Sequence, residues 1–579
     1  MALSSFVPPA SSGEPYRYEE LNDFTGGLNL RADQSSLAPN ESPDLLNVDV
    51  DPRGGVERRD NIDALNTTAL NGDILMIADH FETTSGTEQI IVAAKNSAGT
   101  GTELWFGSGG DFTLIQDATG VVTLTGVSVP SSVTFNDSTY ISNGELFDSP
   151  ADKSALRWRG GNSGTALTLG VGDWGANGHF PQARFTATWG ERVWAAYTTE
   201  ASTDRASLIR WSKINDAENW LEADYIEVDI GEHGDAITAI VPDGDRLLVF
   251  KQESVYAIYG FDSDTFQVVN LTRAAGCRSG TVPVATPLGV FFWYAEEGLF
   301  LLSQQGLAHI FSRLKPAVEN GFLTLSNAPS LMWFDQRLWL SVDFQSGDNH
   351  TGSSQSGRRN IFILDGSLGE GGAWTRHDIN ARWLWAYRPP GDTHLALMAT
   401  SDVADAVSTG VFTRVSRAMQ SNDKDDYTGA GSQPIRSHYQ TRWLSGNRPT
   451  FPKRWGKTRT VLLTDNKVRV SIEILKDYNA SGGMFLHSKD LVGDSSTTVW
   501  GADSSGTFLW EDAATDIADV VSKWVSLGTS RIYKFFRWPS AGTAKAISIR
   551  FSIAPNDTYG HGKWGVTSIV GMYRTRRIR

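Results

Sequence analysis

From about residue 72 to 416 the chain alternates short apolar or aromatic runs with polar positions, interrupted by clusters of Gly, Asp, Asn and Ser. Helical periodicity is almost lacking there, so the pattern predicts half-buried strands joined by tight turns. One unit recurs, a polar turn followed at once by a strand. It appears as Glu88-Gln89-Ile90-Ile91-Val92, Asp137-Ser138-Thr139-Tyr140-Ile141, Glu191-Arg192-Val193-Trp194 and Asp245-Arg246-Leu247-Leu248-Val249-Phe250. It continues as Leu288-Gly289-Val290-Phe291-Phe292, Gln336-Arg337-Leu338-Trp339 and Thr393-His394-Leu395-Ala396-Leu397. Anchored at residues 89, 138, 192, 246, 290, 337 and 394, the markers are 49, 54, 54, 44, 47 and 57 residues apart. That is close to the roughly 40 to 50 residues of a four-stranded propeller blade. The expectation is an all-β chain containing a β-propeller of six to seven blades, seven favoured by the marker count. Ordinary hairpins in two stacked sandwiches fit the same loose spacing.

The flanks have a different texture. Residues 1–23, with Pro8, Pro9 and Pro15 and mixed charge, read as an extended arm ordered by docking. Residues 24–71 read as strand, short helix and hairpin. Ser42 caps the helix with Pro43 in its first turn, and Asp51-Pro52-Arg53-Gly54-Gly55 turns the chain into a strand at Val56-Glu57-Arg58. A propeller ring usually closes with a strand from elsewhere in the chain. Residues 55–59, just before the first blade, are placed to supply it beside residues 410–415. The propeller is expected over 72–416 and a polar linker over 417–434. A β-sandwich-like domain follows over 435–579, where residues 546–553 alternate strictly.

Charge divides the chain further. The whole carries 51 Lys and Arg against 66 Asp and Glu, a net of −15. From Ile435 onward there are 22 basic and 11 acidic residues, leaving 29 and 55 before it. An acidic body with a basic tail domain suits a subunit whose one end meets a neighbour's other end, or whose basic end meets an acidic partner, although net charge speaks to association and not to fold. It argues against generic nucleic-acid binding. One cysteine, Cys277, excludes an intrachain disulfide framework and a thiolate zinc cluster. No run of 18 apolar residues occurs, and the first residues lack the pattern of a secretion signal, so a soluble protein made in the cytosol is expected.

The search for catalytic chemistry is mostly negative. There is no His-Glu-x-x-His, no Gly-x-x-x-x-Gly-Lys-Ser/Thr and no Gly-x-Ser-x-Gly. His233, between Glu232 and Asp235, is the one histidine tightly flanked by two carboxylates, in what reads better as a surface turn. Ser367-Leu368-Gly369-Glu370-Gly371-Gly372-Ala373-Trp374 approaches the sialidase turn but has glycine where that turn needs aspartate. The 20 tryptophans invite a sugar-stacking reading. Most, including Trp194, Trp211, Trp339, Trp374, Trp383 and Trp385, sit in alternating strands where packing is the commoner role.

The segment Gly26-Gly27-Leu28-Asn29-Leu30-Arg31, with residues 37–49 (LAPNESPDLLNVD) and Gly54-Gly55-Val56-Glu57-Arg58-Arg59, resembles the opening of bacteriophage tail-nozzle (tail tubular protein B-like) tail-stabilisation proteins. Residues 246–260, Thr441-Arg442-Trp443-Leu444 and Lys453-Arg454-Trp455-Gly456-Lys457 resemble the same group. The resemblance implies a structural, non-enzymatic virion protein assembled in the host cytoplasm, without a cofactor. It implies a ring, expected to be hexameric, docked below the portal and adaptor beside tail-fibre proteins. Such a ring seals the channel until double-stranded DNA passes at ejection. Candidate contacts to neighbouring subunits are Arg31, Arg58, Arg59, Lys453, Arg454, Lys457, Arg574, Arg576, Arg577 and Arg579. The rival expectation is a receptor- or glycan-binding tail propeller, with or without hydrolase activity.

Overall fold

The computed structural model describes residues 16–575, apart from 84–85, 109, 119, 147–152, 162–166, 171–173, 230–234, 321–322, 325–326, 347–354, 369–371, 388–394, 402–411, 421–423, 427–431, 465–467, 480–485, 492–498, 503–507, 512–531 and 554–563. The chain forms two compact units, one of residues 60–433 and one of residues 1–59 together with 434–579. Among the described residues no helix is long and apolar enough to cross a membrane.

The unit of residues 60–433 is a seven-bladed β-propeller. Each blade is an antiparallel meander, as in blade 3 (Gln182–Trp189, Arg192–Glu200, Thr203–Lys213, Asp216–Glu227) and blade 4 (Ile237–Asp243, Arg246–Lys251, Val255–Tyr259, Gln267–Thr272). Blades 1, 2, 5 and 6 begin with Ile74–Glu82, Ser131–Phe135, Val284–Thr286 and Ser330–Phe334. Blade 7 runs Ala381–Tyr387, Leu395–Thr400 and Arg414–Gln420, and takes its fourth strand, Asn61–Ala64, from the other end of the unit. The opening strand of each blade packs against those of the two adjoining blades, and that of blade 7 against that of blade 1, so the circuit is closed.

All seven sequence markers fall at the start of a second strand, His394 itself lying outside the described residues just before Leu395–Thr400. Local chemistry explains the recurrence. Two-residue turns at Asn136-Asp137, Gly190-Glu191 and Asp335-Gln336 have φ between 46° and 59° at both positions. This is the hairpin geometry whose twist matches that of the flanking strands. In three blades an arginine opens the second strand and ties the hairpin to itself or to the next strand. Arg246 forks onto Asp243 Oδ2 at 2.9 and 2.7 Å, Arg192 Nη1 donates to Ser212 O at 2.8 Å, and Arg337 lies 3.2 Å from Asp365.

Apolar positions of each blade pack against the adjoining blades, which is why the unit holds several separate cores. One joins Ile91, Leu104 and Trp158 of blades 1 and 2; another joins Trp194, Trp211, Val249 and Tyr256 of blades 3 and 4. The core between blades 7 and 1 packs Ile77 and Val92 against Leu397 and Val415.

The seam there is also closed by polar bonds. Leu65 N–H donates to Val415 O (2.7 Å), Val415 N–H to Asn66 Oδ1 (2.8 Å), and Ile74 N–H to Phe412 O (2.9 Å). Asp111, on blade 1, accepts from the backbone N–H and hydroxyl of both Thr67 and Thr68. These bonds favour its charged form and hold its carboxyl at about 2. Beyond the closing strand, Asp425 Oδ1 accepts from Ile62 N–H, and Lys424–Asp426 adds a further strand in parallel.

The second unit is woven from both ends of the chain. Its first sheet orders Ile532–Ala544, Lys453–Thr464, Trp564–Thr575, Val56–Arg58 and Val48–Val50, with Arg17–Leu21 also on Trp564–Thr575. Its second orders Asp44–Leu46, Ser437–Gln440, Ile547–Ile553, Val468–Lys476 and Leu486–Leu491. The indole N–H of buried Trp564 in the first sheet donates to Ser437 Oγ in the second at 2.8 Å. The result is sandwich-like, but Ile547–Ile553, whose alternation predicts one buried and one wet face, is buried at every position except Ser552 because it lies inside the sheet with partners on both sides.

Several expectations about the flanks are corrected. The closing strand is Asn61–Ala64, not residues 55–59; Val56–Arg58 instead pairs with Trp564–Thr575 and Val48–Val50. No short helix follows Ser42. The chain is extended at Glu41–Ser42 and Asp44–Leu46, because Ser42 Oγ receives Asp44 N–H in a local bend and donates to Gln440 O at 2.7 Å. The expected linker at 417–434 overlaps three strands of the last blade's sheet, Arg414–Gln420, Lys424–Asp426 and Ser432–Pro434, with 421–423 and 427–431 outside the described residues. Of the expected arm, Arg17–Leu21 is a paired strand, and residues 1–15 lie outside the described residues.

Candidate interaction surfaces

The ten basic residues expected to meet partners separate into three groups. Arg58, Arg59 and Lys453 are buried, which corrects their expected role as surface contacts. Arg59 Nε donates to Asn47 Oδ1 at 2.9 Å, and Lys453 Nζ donates to the carbonyl oxygens of Arg448, Phe451 and Lys545 at 2.5 to 2.9 Å. Burial lowers the Lys453 pKa from the ordinary lysine value. An ammonium with three carbonyl acceptors fastens a loop; it has no donor left for a neighbouring molecule. Arg31, Arg454 and Lys457 are exposed, while half-buried Arg574 stacks 3.7 Å over the Tyr16 ring. Arg576, Arg577 and Arg579 lie outside the described residues.

The passages singled out as distinctive come together in space. Trp443 Nε1 donates to Gln34 Oε1 at 3.0 Å, Arg442 bonds Glu19 at 2.9 Å, and the Ser42 hydroxyl meets the Gln440 carbonyl. Residues 26–59 and 441–457, almost 400 positions apart, thus build one unit. Residues 246–260 form the central hairpin of blade 4.

The unit division sharpens the charge map. Residues 60–433 carry 24 Lys and Arg against 45 Asp and Glu, a net of −21, and the other unit carries 27 against 21, a net of +6.

The described parts of the features with catalytic potential have the following partners. Asp235 lies 3.5 Å from the fully buried ammonium of Lys251, while Glu232 and His233 are outside the described residues. Trp374 is buried in blade 6, and Asp365 Oδ1 accepts the N–H and hydroxyl of Ser367, with 369–371 outside the described residues. Among the described residues no three of His, Cys, Asp and Glu are grouped to hold a metal ion. Cys277 is buried and its thiol is pushed up to about 12, which makes it a poor nucleophile. Trp194, Trp211, Trp339, Trp374 and Trp383 are buried, as packing requires, and Trp385 is half-buried with its indole N–H on Asp79 Oδ1. Trp174 is the exception that sequence did not single out, 37% exposed on blade 3's flank. Arg210, paired to Glu200 at 2.6 Å, lies 4.0 Å from the Trp174 ring and 5.2 Å from that of exposed Tyr225.

No family model matches the chain, and no curated protein matches it. Among solved structures it is similar to BBS1N crystallised in complex with ARL6DN and soaked with mercury. The TM-score is 0.36 at 10% identity, over 62% of this chain and 97% of that one. It is similar to YCF48 bound to D1 peptide (TM-score 0.35, 10% identity, 65% of this chain and 98% of that one). A structure described as a glycoside hydrolase matches at TM-score 0.25 and 8% identity, over 87% of this chain and 100% of that one. Likeness this distant says nothing of activity, and the propeller rests on the chain's own strand order.

Proposed function

We propose that this chain is a structural, non-enzymatic subunit of a bacteriophage tail, forming a ring below the portal and adaptor through which the genome leaves. The supporting observation is the convergence of residues 26–59 and 441–457 into one unit. Of the passages that carry the resemblance to tail-nozzle proteins, these two share one compact unit, while residues 246–260 form the central hairpin of blade 4 in the other. The charge map fits the same role. An acidic propeller repels phosphate and discourages adhesion of passing DNA, while exposed Arg31, Arg454 and Lys457 suit an acidic protein neighbour. Native mass spectrometry and negative-stain imaging of the full chain, alone and with neighbouring virion proteins, test this. A ring with a central hole is expected, and a persistent monomer indifferent to those proteins overturns it. The exposed Trp174 and Tyr225 favour glycan binding as the second reading, tested by sugar quenching of tryptophan fluorescence.

A further inference from the structure

A four-stranded blade leaves its last strand with one unpaired edge, and natural sheets protect such edges by keeping them short, charged or covered. Blades 1, 2 and 5 end in strands of two to four residues, Thr113–Leu114, Leu167–Gly170 and Gly306–His309. Blade 3 has a long outer strand, Asp216–Glu227, but it carries Glu222, Asp224 and Glu227. The outer strand of blade 6, Ala373–His377, is buried at four of its five positions, and that of blade 7 is flanked by Lys424–Asp426. Blade 4 follows none of these rules. Gln267–Thr272 is six residues long, uncharged and free of proline, ends its sheet, and is exposed from Gln267 to Asn270, with Val268 and Val269 open to solvent.

The loop leading into this strand adds an apolar knob. Phe261 is 91% exposed, the highest of any large apolar side chain described. Its position is fixed, because Thr265 Oγ1 accepts the N–H groups of both Phe261 and Asp262 and donates to Asp262 Oδ1 at 2.9 Å. Asp262 and Asp264 flank it, both exposed.

We infer that the outer edge of blade 4, with Phe261, is a contact surface for a second copy of this chain, met by that copy's basic unit. The inference rests on the ring reading above and assigns its interface. A contact of this edge with itself sets Asp262 and Asp264 against their own counterparts, which costs like-charge repulsion. Charge complementarity instead pairs the acidic edge of the −21 propeller with the exposed Arg31, Arg454 and Lys457 of the +6 unit on a neighbour. Two different surfaces in contact make a head-to-tail interface, the kind that generates rings. Backbone pairing along Gln267–Thr272 supplies affinity, and the two valines and Phe261 supply register.

The test uses the full chain. Sedimentation velocity over a concentration series is compared for wild type, Val269→Lys, and Leu167→Lys, a control at a comparably exposed residue on blade 2's outer strand. Hydrogen exchange of the wild type reads residues 267–272 in the assembled and dilute states. The expected result is an assembly midpoint raised at least about tenfold by Val269→Lys but not by Leu167→Lys, with these amides protected only on assembly. A wild type that assembles while 267–272 stays unprotected and Val269→Lys assembles normally overturns the interface and leaves the ring standing. A wild type that never self-associates, alone or on the adaptor, overturns both. Protection that arises only with a different protein overturns the second copy as occupant.

Discussion

The two units of this chain reach the same all-β composition by opposite routes. In the propeller, nearly every strand pairs with the one before or after it, and the long-range pairings converge on Asn61–Ala64, which lies between Arg414–Gln420 and Lys424–Asp426 and closes the circuit. In the woven unit the long-range pairing is the rule: Arg17 lies opposite Tyr573, Leu45 opposite Tyr439 and Val56 opposite Val566. Local topology concentrates vulnerability at a single seam, whereas woven topology distributes it over both chain ends.

That contrast is most severely tested by cutting the chain at the unit boundaries. A fragment of residues 60–433 retains its closing strand and is expected to fold with a cooperative thermal transition followed by circular dichroism. A fragment of residues 434–579 lacks strands from both of its sheets and is expected not to. Cooperative folding of the latter removes the distinction. Next in size is Ile62→Ala in the closing strand, at a buried position packed with Met398 and Ala418. It is expected to cost about 2–5 kcal/mol in denaturant unfolding and to expose the seam to protease. In the woven unit, Ser437→Ala leaves the buried Trp564 indole N–H without its acceptor, for an expected loss of about 1–3 kcal/mol. The smallest effect concerns Asp111. Its carboxyl is depressed from 3.8 to about 2 in the folded chain, so its contribution is present above the unfolded value and is lost as pH falls through about 2. Asp111→Asn is expected to flatten that acid dependence and to speed exchange of the Thr67 and Thr68 amides at neutral pH.

The propeller was legible because its signal is local. Polar turns followed at once by a strand repeat at blade spacing, three of them with an arginine opening the strand, and a single sequence carries both. The seam was harder. Residues 55–59 and 61–64 have similar strand character, and only pairing partners hundreds of residues away decide which of them closes the ring. At Ser42-Pro43-Asp44 the capping chemistry predicts the start of a short helix; the serine does receive the Asp44 N–H, but the Gln440 carbonyl draws it into a sheet instead. The basic candidates show the same limit. Arg58, Arg59 and Lys453 look like surface cations in sequence, and their burial depends on acceptors such as Asn47 and the Lys545 carbonyl. Edge exposure on blade 4 was illegible for another reason, since Gln267–Thr272 reads like any inner strand until its lack of an outer neighbour is seen.

The pairing of Arg17 with Tyr573 sets a clock on biosynthesis. At about 5–20 residues per second, the ribosome needs roughly half a minute to two minutes to deliver the partner after the first strand has emerged. The propeller, whose last strands appear well before then, is free to fold while the leading segment waits. A translation product that stalls between residue 433 and the last strands therefore carries every strand of the propeller but not of the second unit. If that second unit is what recruits the next subunit, defective chains exclude themselves from assembly without any separate inspection step.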